Sequence, residues 1–166
     1  EPRYLEAATA AARFSLTELH RPDGRLLRSR RAGRGDVPAF CEDYGALALG
    51  LFALFRTNGD PSWFAAGADI VEDMLLLFGD PATGAFFATG SDAEQLIARP
   101  LNLSDQPTPS DNALAAEALL TLAAYTGETR YLDRATAVFR AAAGVLERAP
   151  AAVGHLAGLL AAALAP

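Results

Sequence analysis

A 68-residue offset runs through this chain and constrains its fold more than any other feature. Moving forward by 68 positions carries Asp43 to Asp111, Leu51 to Leu119, Leu54 to Leu122, Gly59 to Gly127, Asp60 to Glu128, Trp63 to Tyr131 and Phe64 to Leu132, with no gap. Upstream the offset shortens: Tyr4 precedes Trp63 by 59 residues, and Gly24 precedes Gly84 by 60. The shortfall falls in loops, which absorb insertions that buried elements reject. Similarity at such a period signals one supersecondary unit used repeatedly, because a lone unit cannot bury its own apolar face. Each copy opens a helix with the same phrase: "EPRYLEAATA" at the start, "TNGDPSWFAAGA" at 57–68 and "YTGETRYLDRAT" at 125–136.

The unit reads as a helical hairpin. Segments 44–56, "YGALALGLFALFR", and 112–126, "NALAAEALLTLAAYT", are apolar nearly all round, and a helix of that kind must be buried on every side. Segments 3–19, 61–78 and 129–147 instead alternate polar and apolar faces. In the last of these, Tyr131, Leu132, Ala135, Val138, Phe139, Ala142 and Val145 recur at three- and four-residue spacing. Ser110 or Asp111 offers an N-cap side chain. Pro61 sits where a missing N–H is harmless, and Gly59 and Gly127 supply helix-ending turns. Inner, buried helices therefore alternate with outer, half-exposed ones, and Tyr4, Trp63 and Tyr131 are expected to wedge each outer helix against its partner. Segment 151–165, "AAVGHLAGLLAAALA", reads as a third inner helix. The return segments 23–33 and 83–100 place Gly before short β-like runs, Leu26-Leu27 and Phe86-Phe87. These flaps gather at one end of the helices, and long loops on one rim are where function concentrates.

The stretches "GRLLRSRRAG", "AFCEDYGALALGLFALFRTNGDPSWF" and "PTPSDNALAAEALLTLAAYTGETRYL" resemble the C-terminal region of the YyaL-like, thioredoxin-domain-containing proteins. That family includes the spermatogenesis-associated thioredoxin-like protein of animals. The most specific pieces are Glu42-Asp43-Tyr44 and Pro109-Ser110-x-Asn112; Ala113 stands where the family typically has Ser. The resemblance covers almost the whole chain. It implies a six-hairpin (α/α) toroid, the fold shared by N-acylglucosamine 2-epimerases and many glycosidases, following an N-terminal thioredoxin-like domain. The expectation for residues 1–166 is thus a single all-α domain, an (α/α)-toroid fragment of roughly six helices. It amounts to about half a barrel with short β-like flaps, and no thioredoxin-like domain lies in this chain. The missing half would come from the rest of a longer chain or from a second copy in a homodimer.

Composition narrows the function classes. All 14 basic residues are Arg, the net charge is −6, and the pI near 4.8 argues against nucleic acid as a partner. No apolar run reaches the ~18 residues of a membrane span, and cytoplasm is the expected compartment. The single cysteine, Cys41, excludes an internal disulfide and a thiolate metal site, and is expected to be a small buried hydrophobe. No P-loop, dinucleotide fingerprint, nucleophile elbow or metal-ligand cluster occurs, so no cofactor and no metal are expected. Six Arg crowd into residues 21–34. They read as a solvated loop or as an anion contact, with Arg28 and Arg31 the candidate ligand-binding residues.

The candidate catalytic residues are Asp43 and Asp111, register equivalents at inner-helix N-termini, which favour negative charge and anionic ligands. Neighbouring helices lie ~8–10 Å apart. The two carboxylates can then approach the ~6.5–9.5 Å separation of an inverting glycosidase. The competing reading is that both simply cap helices. Glu42, Tyr44, Ser110 and Asn112 are candidate ligand contacts, with Tyr44 or Trp63 stacking on a sugar face; Ser110 and Asn112 can equally satisfy free helix N–H groups. An epimerase of related fold relies on two catalytic His on inner helices, and of His20 and His155 only His155 lies on one. Together these features point to a toroid portion that binds or processes a carbohydrate-like small molecule, with epimerase- or glycosidase-like chemistry if catalytic. The alternative is a non-catalytic helical scaffold that docks a partner or self-associates, because half a toroid leaves an apolar layer uncovered.

Overall fold

The computed structural model describes residues 1–21, 23–30, 37–93 and 98–165. It contains six helices: α1 (Pro2–Glu18), α2 (Cys41–Asn58), α3 (Pro61–Phe78), α4 (Asp111–Thr126), α5 (Thr129–Arg148) and α6 (Gly154–Leu164). A 3₁₀ turn, Pro150–Val153, leads into α6. Two tight turns make the hairpins. Gly59 and Gly127 both adopt a φ of 72°, and their N–H groups bond to Phe55 O and Ala123 O, closing α2 and α4 in the left-handed conformation that glycine tolerates best. The Asp60 side chain then accepts from Ser62 N to open α3, with Pro61 in the first turn.

The offset is written into the burial pattern. The buried residues of α5 are Tyr131, Ala135, Val138, Phe139 and Ala142, and each lies 68 positions after a buried residue of α3: Trp63, Gly67, Ile70, Val71 and Met74. In the same way Tyr44, Gly45, Ala48, Leu51 and Leu54 of α2 map onto Asn112, Ala113, Ala116, Leu119 and Leu122 of α4. Helices α2 and α4 lie side by side as the inner layer, with α3 and α5 folded back along them. α4 also buries Asp111, Ala115 and Ala118, whose images Asp43, Leu47 and Gly50 are not buried. The reason is neighbourhood: α4 is flanked by α2 and α6, whereas α2 has an inner helix on one side only.

Two expectations need correction, at Tyr4 and at α6. Tyr4 is 63% exposed while Trp63 and Tyr131 are buried, so the first of the three aromatics does not act as a wedge among the described residues. α6 lies against α4 as an inner helix would, yet Leu156 is its only buried residue and Leu164 is 75% exposed. The β-like runs form isolated antiparallel bridges, His20–Leu26, Leu27–Pro38 and Gly79–Phe86. Among the described residues, no helix is long and apolar enough to cross a membrane.

Candidate functional site

The inner helices begin together. A Cβ built on Gly45 would sit 2.8 Å from Leu114 Cβ, so α2 and α4 touch backbone to backbone near their N-termini. Above that seam, residues 101–110 fold over as a wall and enclose a polar cleft of about 370 Å³. Asp105 anchors the wall. Its N–H donates to Ala152 O, and its carboxylate accepts from Ser110 N and His155 N, both at 2.9 Å. The floor is Ser110 and Asp111 of the α4 start, with Glu42 on the α2 side.

Of the sequence candidates, Glu42, Ser110 and Asp111 meet in this cleft. Ser110 is the N-cap of α4, its Oγ accepting from Ala113 N at 3.2 Å. Asp111 is therefore spared that task. It is 4% exposed, and its Oδ2 accepts from Asn102 Nδ2 at 3.0 Å. Burial lifts its carboxyl above the ordinary value; the Asn102 bond opposes the rise, and the Glu42 and Asp43 charges add to it.

Asp43 sits behind the cleft. Its Oδ2 accepts from Phe40 N at 2.8 Å, fixing the entry of α2 as an acidic N3 side chain does, and also takes Arg28 at 3.2 Å. Its carboxyl too is raised by burial, against the pull of Phe40 N–H and Arg28. Arg28 bonds Glu42 at 2.7 Å and lies over the Phe40 ring, so its charge is spent on this acidic corner. Arg31 lies outside the described residues. The two histidines do not meet: His20 Nδ1 bonds Leu16 O, while His155 Nε2 pairs with Glu117 at 2.7 Å across α6 and α4. No metal-ligating group of three or more His, Cys, Asp or Glu forms among the described residues.

Tyr44 and Asn112 are buried and perform one task at matching positions. The Tyr44 hydroxyl accepts from Leu26 N at 3.1 Å and from Arg25 Nη1 at 2.8 Å. Asn112 Oδ1 accepts from Phe86 N at 2.8 Å, and its Nδ2 donates to Phe86 O and Asn102 O. Each side chain thus pins the return flap to the first turn of its inner helix. Adding 68 carries Tyr44 to Asn112, and adding 60 carries Leu26 to Phe86, so pin and pinned residue repeat together. Asn102, which orients Asp111 and is itself held by Asn112, carries no sequence signal of its own.

Cys41 is fully buried at the start of α2. Burial pushes its thiol well up, and the charges of Asp111, Glu42 and Asp43 push it further. The native thiol is expected to react with a disulfide reagent at pH 8 at least about 100-fold more slowly than after unfolding. Equal rates would show the α2 start to be open.

The class these features define is an open array of (α/α)-toroid-type helical hairpins with a polar cleft at the inner-helix N-termini. The chain is similar to spermatogenesis-associated protein 20 of Mus musculus, 29% identical over 166 residues, and of Homo sapiens, 27% identical over 168 residues. The alignments cover 93% and 94% of this chain. They take in 21% of each relative, so the chain spans about a fifth of the length of the curated relatives it matches. No family model matches it.

Proposed function

We propose that the cleft binds a small, uncharged, hydroxyl-rich molecule of carbohydrate type, with Asp111 as its central contact. The observation that carries this reading is Asp111 itself, a buried carboxyl held above its ordinary pKa where Ser110 already caps the helix. Ionisable groups kept in unfavourable surroundings within a cleft gather where ligands bind. Asn102, Ser104, Gln106 and Thr108 line the same space and offer both donors and acceptors. Leu101, Leu103 and Pro109 give apolar surface for the C–H face of a sugar ring. The two carboxyls disfavour an anion, and Arg28 already neutralises Glu42, so a neutral ligand fits best. The catalytic form of this proposal gives Asp111 the general-acid role. It leaves Asp43 behind it as the second carboxylate. The cleft-bearing unit is, on this reading, the C-terminal toroid portion of a longer thioredoxin-domain-containing protein of the YyaL-like kind. The Glu42-Asp43-Tyr44 phrase and the match to one part of longer relatives support that.

Saturation-transfer NMR with aldoses, N-acetylated amino sugars and methyl glycosides tests the binding. Contacts are expected with the wild-type chain and not with Asp111→Leu; silence from every sugar class would sink the proposal. Stability gives an independent check. The folded Asp111 carboxyl keeps its proton to higher pH than the unfolded one, so its ionisation removes stability as pH rises from the ordinary 3.8 through the raised folded value. Asp111→Asn escapes that loss and retains an acceptor for Asn102. It is expected to be more stable than wild type at pH 7 by about 0.5–1 kcal/mol, with the gain gone below about pH 4. A less stable Asn variant at pH 7 would make Asp111 a structural residue.

A further inference from the structure

Helices α5 and α6 leave between them an apolar groove of about 380 Å³. Leu132, Phe139, Arg140 and Ala143 line it from α5, and Leu160 and Leu164 from α6. Leu132 is 46% exposed and Leu164 75%, so the groove is open to solvent. Sixty-eight positions earlier, the four α5 residues are Phe64, Val71, Glu72 and Leu75 of α3.

On α3 that face is met by α5 at one residue, Glu72. The first turn of α5 lands on it: Arg130 forks onto Glu72 at 2.7 and 3.2 Å, and the Tyr131 hydroxyl donates to the same carboxylate. The tie consists of an aromatic and a charge placed just after the opening turn of α5, while Phe64 of the same face packs on Phe52, Phe55 and Tyr125. The equivalent face of α5 itself carries no such neighbour among the described residues. At the place of Glu72 stands Arg140, exposed and without an ion pair among the described residues. The apolar shape repeats while the charge is reversed.

We propose that the α5/α6 groove docks an amphipathic helix that opens like α3 and α5, on a tight turn and a first-turn aromatic, and that carries a carboxylate where α5 carries Arg130. Apolar burial along Leu132, Leu160 and Leu164 supplies the affinity, and the carboxylate–Arg140 pair sets which helix is accepted. A second copy of this chain does not meet the requirement. Its exposed opening helix, α1, begins Glu1-Pro2-Arg3-Tyr4 and would set Arg3 against Arg140, two like charges. The inference is independent of the cleft reading, since none of these residues lines the cleft.

Two labelled peptides test it, both covering Gly127–Arg148, one native and one carrying Arg130→Glu. Fluorescence anisotropy is measured against the whole chain and against its Arg140→Glu variant. The Glu peptide is expected to bind the wild-type chain about five-fold more tightly than the native peptide, with the order reversed on Arg140→Glu. Because Arg140 is exposed, that variant is expected to fold normally, and Leu164→Asp is expected to weaken both peptides. Equal affinities, an unreversed order or no binding by either peptide would overturn the proposal. So would a dimer, seen by sedimentation, that Leu132→Asp disperses, because the groove would then belong to a second copy.

Discussion

Asn112→Ala is expected to lower the stability of this chain by about 3–4 kcal/mol, because it strands buried backbone groups whose partner among the described residues is the Asn112 carboxamide. Phe86 is fully buried, and its N–H and C=O both bond to the Asn112 carboxamide. The neighbouring bridge across Gly79 uses Asp80 N to Ala85 O and Phe87 N to Phe78 O, and so cannot serve Phe86. Asn102 O loses its donor as well, which frees the wall residue that orients Asp111. For a chain of this size the loss corresponds to roughly 10 °C in Tm. Asn112→Asp is the sharper control. It preserves shape and the acceptor for Phe86 N, but sets a carboxylate oxygen against Phe86 O and Asn102 O, so at neutral pH it should be no milder than Ala. Tyr44→Phe removes the register-equivalent pin and is expected to cost about 1–2 kcal/mol, because only one backbone group, Leu26 N, is stranded along with one Arg25 bond. Thermal and urea unfolding measure all three. A near-neutral Asn112→Ala would mean that Phe86 and Asn102 are not held by α4.

The contrast between these pins and the cleft shows what the sequence could convey. Helices were legible because burial repeats at a fixed offset and because Gly59, Asp60 and Pro61 and their images punctuate the hairpins with known local chemistry. The exposed Tyr4 and the thinly buried α6 were not legible, since a repeat gives the pattern its copies share and says nothing about what each copy packs against. At the site, Asp111 and Ser110 stood out as polar residues opening an apolar helix. Their separate tasks did not, because which oxygen caps and which faces a cleft depends on a wall 5 to 10 residues upstream, where Asn102 and Asp105 sit. The Tyr44–Asn112 equivalence was hidden for a chemical reason. A phenol and a carboxamide share no sequence likeness, yet each can reach a backbone N–H from the first turn of a helix, and only the paired offsets of 68 and 60 relate them.

Gly45→Val is the second large effect, expected to destabilise by about 2–4 kcal/mol. A Cβ at residue 45 falls 2.8 Å from Leu114 Cβ, 3.2 Å from Leu114 C and 3.4 Å from Ala115 N. Two of those three atoms are backbone and cannot rotate aside, so α2 and α4 must move apart where they start. Separation there also loosens the layer of small residues just below, Ala48 and Ala116, which are fully buried. Gly50, one and a half turns on, meets nothing within 4 Å. There Ala should stabilise the helix by about 0.5–1 kcal/mol, the ordinary difference between the two residues inside a helix. The same substitution at two glycines of one helix is therefore predicted to have opposite signs: Gly45→Ala harmful, because contact outweighs propensity, and Gly50→Ala beneficial. Glu42 and Asp111 face each other across the seam that Gly45 keeps closed. Gly45→Ala should thus weaken the sugar binding proposed above even at temperatures where the variant is fully folded, and Gly50→Ala should leave it unchanged. If Gly45→Ala proved as stabilising as Gly50→Ala, the two inner helices would not meet at their N-termini, and the cleft built over that meeting would lose its floor.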